Sequence, residues 1–348
     1  MCSVRAAPAL SPRRYSLDPV ALRAKVRISE LHSYAAFGTH LNCTFDLPEL
    51  AQVPTAPPAA WTVEVRDGAA PVIDGDLLGT DTVCASVQVR SFAAPGVHRL
   101  VFDDTGTFDV LPRVRAIVWY PGAGADSAAM RADLLGRVMA MAAHADGGLA
   151  LHASAVAIDG HAIAFLGPKH AGKSTLAMAL VRGGARLMTD DSLVLRFGDG
   201  DAVWAAPGVQ RVRLWDDSAS ALGAETVRAS GAKPTLDRLP AERLQLSEVP
   251  LAACYVVRAT ADESAGPIER VRLPSARAVL ACVSFSKLGG LAGGAEAVVL
   301  LDRAARVTRA TPVYEAAVRR DLGRLDALAD RVFAWHRLND ARVKTGQP

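Results

Sequence analysis

Hydrophobic and polar positions divide this chain into two stretches of different rhythm. From Val26 to Tyr120 apolar residues alternate with polar ones in short runs. Residues 62–66 alternate and stop at Asp67-Gly68, residues 83–89 alternate in part, and residues 99–102 end at Asp103-Asp104-Thr105-Gly106. Period-two runs closed by D-G and T-G turns predict the hairpins of a small antiparallel module. Residues 54–58 read as a loop inside it, and the Pro-, Ser- and Arg-rich residues 1–24 as a loose lead-in. Pro121-Gly122 ends the pattern. Asp126 then fits the N-cap of a helix running to about His144, with Met130, Leu134, Leu135, Val138 and Met141 on its apolar face. The expected organisation is a lead-in (1–24), a β-rich unit (25–121) and a larger unit (122–345).

In the larger unit, residues 151–158 and 162–166 read as two strands joined through Asp159-Gly160. Alternation puts His152 and Ser154 on one face, with Leu151, Ala153 and Ala155 on the other. Residues 175–182 read as a helix closed by Gly183-Gly184, and residues 186–189 as a strand ending in Asp190-Asp191. Residues 193–197 open a hairpin at the turn 198–201, residues 211–215 look strand-like, and residues 217–223 look like a short helix. Residues 224–248, with Lys233 and Arg238, are polar and irregular, suiting a mobile loop, and residues 254–258 return to strand. Val318, Leu322, Leu325, Leu328 and Val332 recur at helical spacing, which predicts a packing helix over 314–338. The fold class that follows is α/β, a mixed sheet with hairpins and flanking helices, rather than the mostly parallel sheet of an ordinary nucleotide switch.

Composition narrows the partners. The 348 residues are 50% hydrophobic and 22% charged, which suits two globular domains. A net charge of +3 is too small to argue for nucleic acid or an anionic membrane. No apolar stretch approaches bilayer length, and no apolar run follows Arg5, Arg13 and Arg14 to make a signal peptide. The five cysteines are scattered and free of C-x-x-C spacing, which fits a reducing, cytoplasmic setting better than a disulfide framework or zinc site.

Between the paired strands and the helix stands Gly167-Pro168-Lys169-His170-Ala171-Gly172-Lys173-Ser174, which fits the phosphate-loop pattern G-x-x-x-x-G-K-[ST]. Glycines let such a loop curl so that successive N–H groups point inward, and the following helix adds its N-terminal partial charge. The candidate nucleotide-binding set runs from Gly167 through Ser174 to Thr175. Lys173 would reach the β/γ-phosphates of ATP, and the Ser174 hydroxyl would sit on Mg²⁺. The bland alternative is a glycine-containing turn that binds nothing. Asp190 and Asp191 lie at the end of the next strand, where phosphoryl transfer needs one carboxylate for Mg²⁺ and one for the acceptor hydroxyl. Read without that context they are turn carboxylates or a helix cap. A lone strand histidine such as His152 is usually structural, yet here it could tune a carboxylate or touch a phosphate.

His152, the glycine loop and Arg186-Leu187-Met188-Thr189-Asp190-Asp191 together resemble the core of HPr kinase/phosphorylase. The spacings His152 to Gly167 and Lys173 to Asp190 match that family, and Gly184 and Arg186 fall in step with its R-G-x-R-L. Tyr34-Ala35-Ala36-Phe37-Gly38, Asp46-Leu47-Pro48-Glu49-Leu50 and Leu151-His152-Ala153-Ser154-Ala155 are similar, more specifically, to the HPr-kinase-related proteins of bacterial biosynthetic clusters. Some of these resemble the kinases that phosphorylate the terminal serine of lasso-peptide precursors. The resemblance implies a P-loop kinase core with a β-rich N-terminal domain. It implies transfer of the ATP γ-phosphate, with Mg²⁺, to a serine or threonine of a peptide or to a hydroxyl of a small natural product. By position it makes Asp190 the general base, Asp191 and Ser174 the Mg²⁺ ligands, and His152 a partner of Asp190 and of the transferred phosphate, with Lys173 catalytic. The chain departs from the family at Thr175, where HPr kinases commonly carry glutamate, and lacks their downstream glycine-rich signature. Arg211 and Arg213 are candidates for the missing positive charge, although an exposed strand face explains them equally well. A P-loop ATPase or a nucleotide-driven switch remains the alternative, and self-association stays open.

Overall fold

The alternating runs of the first third assemble into one eight-stranded sheet. In the computed structural model, which describes residues 31–54, 60–84, 86–224, 226–227, 235–236, 239–260, 266–319 and 321–337, its strands are β1 (His32–Ala36), β2 (Thr39–Cys43), β3 (Trp61–Val65), β4 (Asp76–Cys84), β5 (Val87–Ala94), β6 (Val97–Phe102), β7 (Gly106–Leu111) and β8 (Ala116–Pro121). They lie in the order β1-β2-β3-β8-β7-β6-β5-β4. From β4 to β8 the sheet is the antiparallel meander that its turns predict. It is nevertheless mixed, because β2–β3 and β3–β8 pair in parallel. Residues 83–89 are not one strand: they span the reversal from β4 to β5, where Cys84 pairs with Val87.

Asp126 caps the following helix as expected, its carboxylate accepting the Ala129 N–H at 2.8 Å. Helix α1 (Ser127–Asp133) runs through a π-helical turn at Leu134–Val138 into α2 (Met139–Ala145). Met130, Leu134, Leu135, Val138 and Met141 share one core with Tyr34, Trp61, Phe108 and Ile117 of the first sheet. Burying each such side chain is worth about 1.5–3 kcal/mol, which fixes the helix on that sheet.

The second sheet is built from β9 (Leu149–Leu151), β10 (Ala153–Ile158), β11 (His161–Leu166), β12 (Arg186–Thr189), β13 (Leu193–Phe197), β14 (Val203–Ala206) and, after the short pair β15 (Thr226–Val227) and β16 (Thr235–Leu236), β17 (Val249–Thr260), β18 (Ile268–Arg272) and β19 (Val313–Arg319). Strand β17 is its spine. Its start pairs antiparallel with β14, and its remainder pairs in parallel with β11 and β19. Alternation sorts the two faces. Val156, Ile158, Ile163 and Phe165 pack on helices α3 (Lys173–Arg182) and α7 (Leu325–His336), with α4 (Asp216–Leu222) at the margin. Ala155, Ala157, Ala162 and Ala164 face α5 (Ser275–Ser284) and α6 (Gly294–Ala310). The result is a helix–sheet–helix sandwich.

Two sequence expectations give way here. Residues 211–215 alternate in burial but form no strand; Arg213 makes only an isolated bridge to Thr235. The helical period over 314–338 straddles two elements, because pairing with β17 and β18 holds Val313–Arg319 extended and the helix begins only at Leu325. Tertiary pairing overrides local period in that segment. Much of 224–248, including Lys233 and Arg238, lies outside the described residues, as do 1–30. Cys43, Cys254 and Cys282 are buried free thiols, and among the described residues no helix is long and apolar enough to cross a membrane.

Where α7 meets β17, Arg270 donates to the Tyr255 hydroxyl at 2.6 Å, and Tyr255 Oη lies 2.6 Å from His336 Nε2. Burial, with the Arg270 charge adding to it, lowers His336 from 6.5 to about 4. Folding therefore favours the neutral ring, and stability should fall as pH drops from 6.5 towards 4, because the unfolded chain binds the proton more tightly. After solvent screening the loss amounts to roughly 2 kcal/mol. Urea midpoints at pH 7 and pH 4.5 should differ less in His336→Gln than in the wild type; an equal difference would place the pH sensitivity elsewhere.

Candidate functional site

The glycine loop connects a buried strand to a helix, and its backbone shows why glycine is needed. Gly167, His170 and Gly172 all have positive φ (147°, 66° and 93°). A Cβ on Gly167 would lie 2.9 Å from the Val257 carbonyl oxygen, too close to accommodate. In general, backbones of this kind can gather N–H groups into an anion-binding concavity, and this loop runs into the N-terminus of α3. His170 bears the unusual left-handed backbone without being glycine, and its ring stacks on Trp215 with centroids 5.6 Å apart. Lys173 is buried at the loop mouth. Its Nζ donates to the Gly167 and Pro168 carbonyls at 2.7 and 3.0 Å and lies 3.2 Å from His152 Nε2.

Both aspartates occupy the point where the chain crosses from β12 to β13, beside the point where it passes from β9 to β10 at His152. They sit in opposite environments. Asp190 is buried and accepts hydrogen bonds from Ser154 Oγ at 2.5 Å, Ser174 Oγ at 2.8 Å and the Arg213 backbone N–H. Burial pushes its carboxyl up, against the opposing pull of those donors. Asp191 has φ +91° and a side chain 43% exposed. Its Oδ1 lies 3.0 Å from His152 Nδ1, and its Oδ2 accepts from Lys287 Nζ at 2.6 Å. Desolvation would raise this carboxyl, but the Lys287 ammonium and His152 outweigh it and hold it well below the usual carboxylate range. With Lys173 Nζ on Nε2, the ring nitrogen left to donate to Asp191 is Nδ1.

The structure thus brings His152, Lys173, Ser174, Asp190 and Asp191 together, with one change of partner. His152 pairs with Asp191 and not with Asp190. Ser154, two residues along on the same face, takes the buried carboxylate, while His152 stands in the break between strands and meets the exposed one. Arg211 and Arg213 bring no side chain to the carboxylates in any described contact; the backbone of Arg213 does the work there. Lys169 turns away from the helix and donates to the Val83 carbonyl at 3.3 Å. Thr175 Oγ1 donates to Ser218 Oγ at 3.2 Å. Two participants escaped the sequence reading, namely Ser154 as a donor to Asp190, and Lys287. One signal pointed to Lys287: it is among only six lysines in an arginine-dominated chain.

Beside the loop opens a cavity of about 450 Å³, lined by His170, Lys173, Ser174, Thr175, Trp215 and Leu322 among others. It is large enough for a nucleoside, with the Trp215–His170 stack on its wall. The donor set for a cation is small: among the described residues no three His, Cys, Asp or Glu side chains cluster to hold a metal. Ser174 and Asp190 supply two oxygens. That suits Mg²⁺, which keeps waters and takes phosphate oxygens alongside one or two carboxylates, and it suits an ion that arrives with its phosphates.

No protein-family model matches this chain, and no curated protein matches it. Among solved structures, the HPr(Ser) kinase/phosphatase from Coxiella burnetii is similar over 54% of this chain and 95% of that one, at 12% identity and a TM-score of 0.28. At that distance the likeness carries no weight for function.

Removing the Ser154 hydroxyl leaves a buried carboxylate short of one donor. Ser154→Ala should cost about 1–3 kcal/mol in urea unfolding at pH 7. A change below about 0.5 kcal/mol would mean that Ser154 contributes nothing to holding Asp190.

Proposed function

We propose that this chain is an ATP-dependent kinase that transfers the γ-phosphate to a hydroxyl group. The observation that carries the reading is the meeting of Ser174 and Asp190 at 2.8 Å, with a second carboxylate beside them, held ionised by Lys287 and His152. The second carboxylate is the group that transfer to an acceptor hydroxyl would use. The loop amides from Gly167 to Gly172 and the Lys173 ammonium would hold the phosphates, with the nucleoside lying toward Trp215. Ser174 and Asp190 would hold Mg²⁺, which would supply positive charge against the negative charge developing on the phosphates.

The distances favour a division of labour opposite to the one implied by the family resemblance. Ser174 and Asp190, already in contact, form the pair for the cation. Asp191, partly open to solvent and oriented by His152, faces the acceptor. In the transfer the acceptor oxygen bonds to the γ-phosphorus, the bond to the β-phosphate oxygen breaks, ADP departs, and the hydroxyl proton passes to Asp191. Low basicity is no obstacle, because in a loose transition state catalysis is mostly positioning and charge neutralisation. The resemblance to biosynthetic-cluster kinases supports a serine or threonine of a peptide, or a small natural product, as acceptor, in a cytoplasmic setting where ATP is supplied.

Lys173→Ala should reduce ATP-dependent turnover about a hundredfold or more, equivalent to roughly 3 kcal/mol of transition-state stabilisation. Wild-type turnover in that variant would sink the phosphate-loop assignment. The two aspartates should separate. Asp190→Asn should raise the Mg²⁺ concentration needed, whereas Asp191→Asn should keep Mg²⁺-ATP affinity within about tenfold while slowing transfer on the order of a hundredfold. Exchanged phenotypes would restore the opposite division. The acceptor can be sought by incubating the protein and labelled ATP with the peptides and metabolites of its own gene neighbourhood, read by mass spectrometry. A gain of one phosphate on an acceptor is expected; ADP and free phosphate with no modified acceptor would favour an ATPase.

A further inference from the structure

Lys287 lies far from the glycine loop in sequence, yet its Nζ is 2.6 Å from Asp191 Oδ2 and its side chain is only 10% exposed. What holds it there comes from both halves of the molecule. On the second-sheet side, the Lys287 N–H donates to the Ala150 carbonyl at 3.0 Å, and the Phe285 carbonyl accepts from the His152 N–H at 2.6 Å. These bonds fix the start of the turn against the strand break that carries His152. On the other side, Leu288 and Leu291, from the same turn, are fully buried in the core of the first sheet.

The edge strand β4 presses on this turn without room to spare. A Cβ on Gly79 would collide with the Gly290 carbonyl oxygen, and one on Gly293 with the Leu78 carbonyl oxygen. A Cβ on Gly290 would come 3.3 Å from the Asp81 Cβ. Asp81 is itself held by Arg137 of the π-helical turn, and β4 also accepts the bond from Lys169 of the glycine loop. Glycine on both sides of the contact lets two backbones approach to a distance that no other residue permits.

We propose that Lys287 is a positioning residue for the acceptor-side carboxylate, and that the first sheet completes the active site by seating the Lys287 turn through the Gly79–Gly290 and Leu78–Gly293 approaches. The proposal rests on the kinase reading and deepens it. Lys287 acts through Asp191, whose left-handed backbone is held by contacts on both carboxylate oxygens. Losing the ammonium leaves Oδ2 with only the long bond from Ser192 Oγ at 3.4 Å and lets the carboxylate swing away from the acceptor. The described partners of Lys287 are Asp191 and the Ala150 carbonyl, not the 167–175 loop, so Mg²⁺-ATP affinity should be kept.

The test measures Mg²⁺-ATP affinity by calorimetry and ADP release in the wild type, Lys287→Met, Lys287→Arg, Gly79→Ala, Asp191→Asn and the Asp191→Asn/Lys287→Met double variant, each checked for folding by its melting curve. Affinity should stay within about threefold in the Lys287 and Gly79 variants. ADP release should fall roughly thirtyfold in Lys287→Met and about fivefold in Gly79→Ala, since small misplacements of a reacting group cost rate and not binding. Lys287→Arg should recover to within about fivefold of the wild type, and the double variant should be no slower than Asp191→Asn alone. Wild-type turnover in folded Lys287→Met, or additive losses in the double variant, would overturn the proposal and leave the kinase reading standing. A wild type that neither binds nor turns over Mg²⁺-ATP would overturn the kinase reading instead. If Lys287→Met does not fold, Lys287→Arg and Gly79→Ala decide: full activity in Gly79→Ala, or an Arg variant that folds and is inert, counts against it.

Discussion

A carboxylate taken out of water has to be compensated, and at Asp190 that requirement organises everything around it. Left without partners, a buried charge costs several kcal/mol, while each hydrogen bond to it returns about 1.5–3 kcal/mol. The donors come from three places: Ser154 on β10, Ser174 at the start of α3 and the backbone at Arg213. Satisfying this one group therefore fixes a strand, the helix behind the glycine loop and the crossing from β12 to β13 relative to one another. The same fixation sets Lys173 beside His152 and leaves Asp191, the next residue, facing outward. Two neighbouring carboxylates acquire opposite electrostatics in this way, one pushed towards neutrality by burial and the other held ionised by Lys287 and His152.

The parts of this arrangement that were legible in the sequence are the local ones. Strand, glycine loop and helix follow in order because turn chemistry and apolar period act over a few residues, and the hairpin through Asp159-Gly160 pairs Ile158 with His161 as its turn demands. Alternation correctly put His152 and Ser154 on one face, but a face does not say which of two adjacent carboxylates each will meet; the strand break at His152 decides that. Long-range pairing was invisible. The parallel contacts of β2, β3 and β8 make the first sheet mixed, and pairing with β17 and β18 keeps Val313–Arg319 extended despite a helical spacing of its apolar residues. Residues 211–215 mislead for the opposite reason: they alternate in burial because one side lies against the core, without any ladder to make them a strand. Lys287 could not be placed beside Asp191 from sequence, since only the folded turn brings it there.

The two sheets are also less separate than their order along the chain suggests. Helices α1 and α2 follow the first sheet in sequence and pack on it, and Leu288 and Leu291 return from the second half to the same core. Trp61 Nε1 donates to Asp146 just before β9, and His144 bridges to Glu296 and Arg303 on α6. Strain or loosening in the first sheet accordingly has a direct mechanical route to the site, through backbone contacts too tight to absorb it.

In the proposed kinase, Ser174 and Asp190 form one half of a phosphate-and-cation site while Asp191 is kept for the acceptor. A crystal structure with Mg²⁺ and a non-hydrolysable ATP analogue tests it most directly. Phosphates are expected within the Gly167–Gly172 loop and an ion about 2.1 Å from Ser174 Oγ, with Asp190 directly or through water in its shell, and Asp191 still on His152 and Lys287. An ion ligated by Asp191 with Asp190 excluded, or a nucleotide bound away from the loop, would contradict it.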